Sequence, residues 1–212
     1  MQSALGSPSP IKLLAVGWSA IRALENSRNL PAEQHYIALS NDAVVLRAST
    51  ADHKLFLWQD PSTLEYRNTI VDKQPSISYP SDGLAHLIKP RDPVFLITGF
   101  GQDTEAAQAA RLAQQAFLAG GRVTVIGSVP KGPGYTSEHQ TALSQINLLN
   151  QYLFPPATVT YERDLLLRQS NPDMAIIELY TIVDRMLLKT VQRIVDSHNT
   201  AKTRWAGNCL PL

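Results

Sequence analysis

Val94-Phe-Leu-Ile-Thr-Gly-Phe-Gly101 starts with four apolar residues and ends in a glycine turn, and Gln102-Asp-Thr-Glu-Ala-Ala-Gln108 follows it directly. A short apolar run that breaks at glycine and passes into Ala-, Gln- and Leu-rich sequence reads as a buried strand feeding a helix. The spacing predicts that helix over Thr104–Leu118, with Gly120-Gly121 as its stop. Outward in both directions the same alternation recurs. Ile11–Val16, Tyr36–Ser40, Lys54–Trp58 and Arg122–Gly127 read as further strands. Ser19–Leu30 reads as a helix on Ile21, Leu24 and Leu30, stopped by Pro31. Ser137–Leu153 reads as another, with Leu143, Ile146, Leu149 and Leu153 facing inward. The longest helix signal is Asp173–Ser197, with Asp173 as its expected N-cap. Apolar strands alternating with helices predict an α/β fold, a mainly parallel sheet with helices on both faces. Ligands of such sheets sit beyond the carboxyl ends of the strands, which singles out the loops after Val16, Ser40, Thr98 and Gly127.

Composition narrows the function. The chain has 212 residues, 44% hydrophobic and 17% charged, with a formal net charge of +1. That balance fits a globular domain and lacks the basic excess of a dedicated nucleic-acid binder. One cysteine, Cys209, forms no internal disulfide and no multi-cysteine zinc site. The first apolar stretch, Ile11–Trp18, is far short of the roughly 20 residues that span a membrane, and residues 1–10 lack a charged secretory start. The expectation is a cytoplasmic protein with no membrane partner, organised as an N-terminal arm (1–10), one α/β domain (11–197) and a weakly patterned tail (198–212). Gln59–Pro93 carries five prolines and is expected to be a long loop with little helix.

Three stretches, in this order and spacing, resemble the nucleotide domain of the FtsZ/tubulin family. Ile37-Ala-Leu-Ser-Asn-Asp-Ala-Val-Val-Leu46 resembles IAINTDAQAL, and Val94–Gly101 resembles MVFITAGMG. Leu179-Tyr-Thr-Ile-Val-Asp-Arg-Met-Leu-Leu-Lys-Thr-Val-Gln-Arg-Ile194 resembles AFKVADDVLLQAVQGI. The resemblance covers roughly residues 11–197. It implies a nucleotide domain with the long helix crossing it, and it brings expectations for individual positions.

The departures from the family pattern bear on the chemistry. The family wraps phosphates with GGGTGTG, whose glycines let backbone N–H groups approach the oxygens. In the ungapped register Gly101 takes the first glycine, and Gln102, Asp103, Thr104 and Glu105 take the next positions. Asp103 and Glu105 would set negative charge where phosphate belongs, although at a helix start they also suit a cap and a first-turn acid. The family's GVGGGGGNA loop is replaced by Ala15-Val-Gly-Trp-Ser-Ala-Ile-Arg-Ala23, which keeps only Gly17 and places Trp18 and Ile21 in the nucleotide's space. On the base side the resemblance puts Tyr180 at the aromatic that stacks on guanine and Asp184 at the acid that pairs with its edge. The alternatives are a core aromatic and an ion pair of Asp184 with Arg185 or Lys189. The acidic catalytic loop NLDFAD has no counterpart in Asp196-Ser-His-Asn-Thr-Ala-Lys-Thr-Arg204.

Other motifs carry less. Gly127-Ser-Val-Pro-Lys-Gly-Pro-Gly134 lacks a P-loop ending and reads as a rigid turn. The five histidines show no i,i+4 metal spacing, so no metal site is expected. Trp18, Trp58 and Trp205 are candidate interface anchors. The resemblance and its departures together predict a non-catalytic, pseudo-GTPase domain without a cofactor. It would act through a protein partner or self-association, with an FtsZ/tubulin-family protein as one candidate, in a cell-division or cytoskeletal setting. The alternative is a divergent nucleotide binder or weak GTPase completed by a partner subunit. A third reading makes Asp103 and Glu105 an acid/base pair.

Overall fold

The computed structural model describes residues 10–26, 34–59, 66–70 and 83–207. In chain order these form β1 (Ile11–Val16), α1 (Trp18–Glu25), β2 (Gln34–Ser40), α2 (Ala43–Ala48), β3 (His53–Gln59), β4 (Tyr66–Ile70) and α3 (Gly83–Leu87). Then come β5 (Pro93–Gly99), α4 (Ala109–Leu118), β6 (Arg122–Pro130), α5 (Thr136–Gln151), β7 (Ala157–Tyr161), α6 (Arg163–Ser170) and α7 (Ile176–Gly207). The seven strands make one sheet in the order β4-β3-β2-β1-β5-β6-β7. Every pairing is parallel except β3 with the edge strand β4.

The central strands are apolar throughout because both their faces are covered. Along β1, Ile11, Leu13 and Ala15 turn toward α1 and α7, where Ile21, Leu24, Leu187, Val191 and Val195 meet them. Leu14 and Val16 turn the other way, toward Leu84 of α3, Ala109, Leu112, Ala113 and Ala116 of α4, and Leu149 of α5. The period-two alternation therefore splits the core into two layers, one on each face of the sheet. Each fully buried leucine contributes roughly 1.5–3 kcal/mol by leaving water.

The α/β fold with helices on both faces agrees with the sequence reading, and the differences are local. Helix α1 closes at Glu25, with Asn26 as its C-cap; the rest of the helix expected to Leu30 lies outside the described residues. Within Gln59–Pro93 the chain forms β4 and α3, so that stretch is more structured than its prolines suggested. Thr104–Gln108 is a 3₁₀ turn, and regular helix starts only at Ala109. Gly120 does stop α4: it takes φ 92°, while its amide bonds Phe117 O at 2.8 Å and that of Gly121 bonds Ala116 O at 3.0 Å.

On α5 the inward positions are Ala142, Ile146 and Leu149, whereas Leu143 and Leu153 face solvent. Leu153 falls past the helix end at φ 62°, so helical spacing no longer governs it. Asp173 is not the N-cap of α7. Its amide instead bonds Asn171 Oδ1 at 3.1 Å in a turn before the helix. Helix α7 also runs past Ser197 to Gly207, through part of the expected tail. Its 32 residues make it about 48 Å long. Residues 1–9 of the expected arm, 208–212 of the tail, and the side chains of Trp58 and Trp205 lie outside what the structure describes.

Candidate functional site

Strand order reverses at β1, which has β2 on one side and β5 on the other. At such a switch point the connections leave the strand ends in opposite directions and open a crevice, the usual ligand position in doubly wound sheets. The loops after β1, β2 and β5 line it, and α7 passes beside it.

Gly17, between β1 and α1, sits at φ 86° and ψ 169°, a region essentially closed to side chains. Its amide donates to Leu39 O at 2.9 Å. A Cβ on Gly17 would come within 2.8 Å of the Asp103 side chain, and one on Gly99 within 3.0 Å of Asp103 Oδ2. The two glycines thus make space for a carboxylate. That carboxylate accepts from Ser19 N–H through Oδ2 and from Ser19 Oγ–H through Oδ1, both at 3.1 Å. Ser19 lies in the first turn of α1, where backbone N–H groups have no partner inside the helix.

Asp103 therefore caps α1 and not its own turn. It holds the N-cap position of Thr104–Gln108, yet its side chain makes no bond there. Ser19 offers two donors on one side of the crevice, and they claim both oxygens. Burial pushes the Asp103 carboxyl up to about 6; the Ser19 hydrogen bonds oppose this, the Glu105 charge adds to it, and Arg22 opposes it weakly.

Glu105 lies in the first turn as expected, but its carboxylate also reaches across to β2. Oε1 accepts from Ser40 Oγ–H at 2.8 Å and from Asn41 N–H at 3.2 Å, and Oε2 accepts from Thr104 Oγ–H at 3.1 Å. Ser40 Oγ in turn accepts from Asp42 N–H at 3.0 Å. Gln102 is half-buried in the preceding turn. Gly101, at φ 79°, donates its amide to Gln145 Oε1 of α5 at 2.9 Å, and a Cβ there would overlap the Glu138 carbonyl. The amide at the one retained glycine of the loop is thus directed at α5.

At the other end of the crevice stand Trp18, Tyr180 and Asp184. The Trp18 and Tyr180 rings meet edge to face, 5.8 Å apart at 88°. Between them and Asp184 lies the guanidinium of Arg22, 3.9 Å from the Trp18 ring centre and 4.7 Å from that of Tyr180. Arg22 Nε and Nη2 donate to the two Asp184 oxygens at 2.7 Å each, a bidentate pair on a carboxylate only 3% exposed. Asn26 Nδ2 adds a bond at 3.4 Å. Asp184 is thus paired with Arg22, not with Arg185 or Lys189. Ile21 turns into the core, leaving Trp18 as the residue of that pair at the crevice, 44% exposed.

One residue of this region, Arg22, escaped the sequence reading. Arg22 follows Trp18 by four positions on α1, a spacing that stacks a guanidinium on an indole; that signal was present, whereas its carboxylate 162 positions away was not. Tyr161, at the end of β7, packs edge to face on Tyr135 at 5.9 Å. Its hydroxyl is buried with no hydrogen-bond partner among the described residues, and burial raises its pKa. Among the described residues no three His, Cys, Asp or Glu side chains group as a metal site. Asp103 and Glu105 are each engaged by hydrogen bonds, which leaves neither oriented as a free base.

No protein-family model matches the sequence, and no curated protein does. Solved structures do match. An FtsZ dimer from M. jannaschii, described as empty, superposes with a TM-score of 0.66 at 17% identity, over 90% of this chain and 55% of that one. A point mutant of the same FtsZ gives 0.63 at 18%, over 89% and 57%. The chain thus spans a little over half the length of these FtsZ chains. What the likeness establishes is architecture: the chain has the nucleotide-domain fold of FtsZ and tubulin.

Proposed function

We propose that this chain is a non-catalytic, FtsZ-like pseudo-GTPase domain that no longer binds GTP and acts through protein contacts. The observation carrying the proposal is that the chain's own side chains occupy both ends of the switch-point crevice. Asp103 takes the amide and hydroxyl of Ser19 at the start of α1, and Arg22 takes both oxygens of Asp184. A phosphate brought beside Asp103 or Glu105 would meet like charge. At about 4 Å and an effective dielectric near 20, each such pair costs roughly 4 kcal/mol. The loss of glycines after Gly101 supports the same reading, since backbone approach to a phosphate needs them.

Protein contacts are supported by large apolar side chains on the surface, among them Phe117, Leu118, Leu153, Ile176 and Ile177. The fold makes an FtsZ/tubulin-family protein or a second copy the first partners to test, and cell division or the cytoskeleton the first setting. Among the described residues no helix is long and apolar enough to cross a membrane; a cytoplasmic location is part of the proposal.

Calorimetric titration of nucleotide-stripped protein with GTP and with GDP, each with Mg²⁺, tests the proposal. The expected result is no heat at high ligand concentration. Micromolar binding would overturn it in favour of a divergent nucleotide-binding protein. That second reading rests on Tyr180 and Asp184, which do share one face of α7 at the crevice, and under it Tyr180→Ala abolishes the affinity.

A further inference from the structure

The 23 positions from His139 to Tyr161 contain no Asp, Glu, Lys or Arg. At the 17% charge of the whole sequence, a run of that length would hold about four. The run forms most of α5 and all of β7. Other helices carry charge on their outer faces. Glu178, Arg185, Lys189 and Arg193 are all exposed on α7, and Arg163, Asp164 and Arg168 on α6. Depletion of charge on a solvent-facing surface is the compositional mark of an interface core.

Helix α5 turns Ala142 and Leu149 into the core. Opposite them, at helical spacing, Gln140, Ser144, Asn147 and Gln151 make an exposed stripe along about 17 Å of the helix. Leu143 and Leu148, both exposed, flank that stripe on either side. The stripe steps by four, three and four residues, an order that reads the same from both ends. Two α5 helices laid antiparallel about a twofold axis therefore match position for position. Gln140 falls opposite Gln151 of the second copy, and Ser144 opposite its Asn147. Each amide both donates and accepts, so these pairs also match chemically. Ser144 Oγ–H is already given to Gln140 O at 3.1 Å, which leaves the oxygen's lone pairs to accept from the Asn147 amide.

We propose that the outer face of α5 is where this chain pairs with a second copy of itself, through antiparallel helices. A neutral face gives a charged partner nothing to select, whereas a self-complementary face selects its own copy. No like charges meet across the pair, and the opposite helix covers the flanking leucines. The inference rests on the reading that the chain acts through protein contacts, and it names the partner and the surface. A contact built on two 16-residue helices lies at the small end of specific interfaces, below about 1,200 Å². The pair is therefore expected to form reversibly, at micromolar concentration.

Sedimentation velocity of the unmodified chain over a roughly hundredfold concentration range provides the test. The mass is expected to rise with concentration from the 23.3 kDa of one chain toward that of two. A mass that stays at one chain throughout would overturn the proposal. Two double variants at the same exposed positions then read the surface and its register. Ser144→Glu with Asn147→Glu sets like charges opposite one another, and should weaken pairing at least about tenfold. Ser144→Lys with Asn147→Glu sets opposite charges across an antiparallel pair but like charges across a parallel one. This second variant should pair at least as tightly as the unmodified chain, and lose the gain at high salt. Undiminished pairing by the first variant, or loss of pairing by the second, would overturn the proposal.

Both variants change only solvent-exposed side chains, so their thermal midpoints should match that of the unmodified chain. Should either misfold, the concentration series on the unmodified chain still decides whether a pair forms. Failure here is separable from failure of the functional reading. GTP binding by the unmodified chain removes that reading, whereas a monomer that binds no GTP removes only this contact and leaves a different protein as the partner.

Discussion

The two ends of the sheet solve the problem of exposed chemistry in opposite ways. At the carboxyl end, the polar groups of the crevice are paired with one another: Asp103 with Ser19, Glu105 with Ser40 and Asn41, Arg22 with Asp184. At the amino end, a groove of about 460 Å³ with a mixed polar and apolar lining lies between Phe95, Phe117, Arg122, Thr124, Leu153, Phe154 and His198. Phe117 and Phe154 meet edge to face there at 5.7 Å, and Leu153 beside them is 86% exposed. A sheet of this topology normally offers its carboxyl end to ligands. Here the charged groups of that end are paired with one another, and the open groove is at the other. Sites are built on a fold and can be closed while the fold persists, because the strands that carry the core are not the loops that carry the chemistry.

The sharpest way to break this comparison is to unpair the closed end. Asp184→Ala leaves the Arg22 guanidinium mostly buried without its carboxylate, and a loss of about 3 kcal/mol in unfolding free energy is expected by denaturant titration. A loss below 1 kcal/mol, on the order of an exposed pair, would mean that the crevice is solvated and not closed.

The pH response of Asp103 follows. Its carboxyl titrates near 6 in the fold, above its ordinary value of 3.8, so its contribution to stability is full below pH 4 and is lost as pH rises through 6. Asp103→Asn removes the ionisation while leaving an oxygen for Ser19 N–H. The variant should gain about 2 kcal/mol relative to the unmodified chain between pH 4 and pH 7. A pH-independent difference between the two proteins would show that Asp103 is not buried as described.

A smaller effect is expected at the cradle. Gly17→Ala forces a side chain into a glycine-only backbone region and against Asp103, at a cost of about 1–3 kcal/mol. Pairing it with Asp103→Gly should recover the part due to collision, leaving the backbone part. Full additivity of the two changes would sink the close packing of these residues.

The open end should show the smallest stability effect of all. Leu153→Glu is expected to change stability by no more than about 0.5 kcal/mol, because its side chain is already largely in water, and Phe117→Glu by about 1 kcal/mol, because it also gives up the ring contact with Phe154. If the groove is where a partner docks, they should nonetheless abolish co-elution with that partner in size-exclusion chromatography. Retained co-elution would move the contact surface elsewhere.

How much of this was legible in the sequence differs between the same two levels, framework and loops. The central strands announce themselves because burial on both faces demands unbroken apolar runs such as Leu13-Leu-Ala-Val16 and Val94-Phe-Leu-Ile97. Strand β7 was missed because it is a half-exposed edge strand of alternating threonines, bounded by Pro155-Pro156. Helix α2 and strand β4 are short, and their sequence signals are correspondingly weak. In the crevice, Gly17, Trp18, Asp103, Glu105, Tyr180 and Asp184 were all singled out, and the fold brings them to one switch point. Their partners were not legible. Asp103 with Ser19 and Asp184 with Arg22 join residues 84 and 162 positions apart, and local rules of capping and i,i+4 pairing do not reach that far.

Helix α7 gives the contrast between the two ends a mechanical side. Asp184 anchors it to Arg22 at the crevice, and fourteen residues later His198 rests edge to face on Phe95 beside the groove, 6.0 Å between ring centres. At 1.5 Å per residue those two bearings are about 21 Å apart on a single rod. A helix resists stretching far more than it resists sliding, so displacement at one bearing reaches the other nearly undiminished. A shift large enough to re-seat the helix in its packing is about one turn, 5.4 Å, and would unseat Asp184 and His198 together. The crevice and the groove are therefore held at a fixed spacing, like two jaws on one strut.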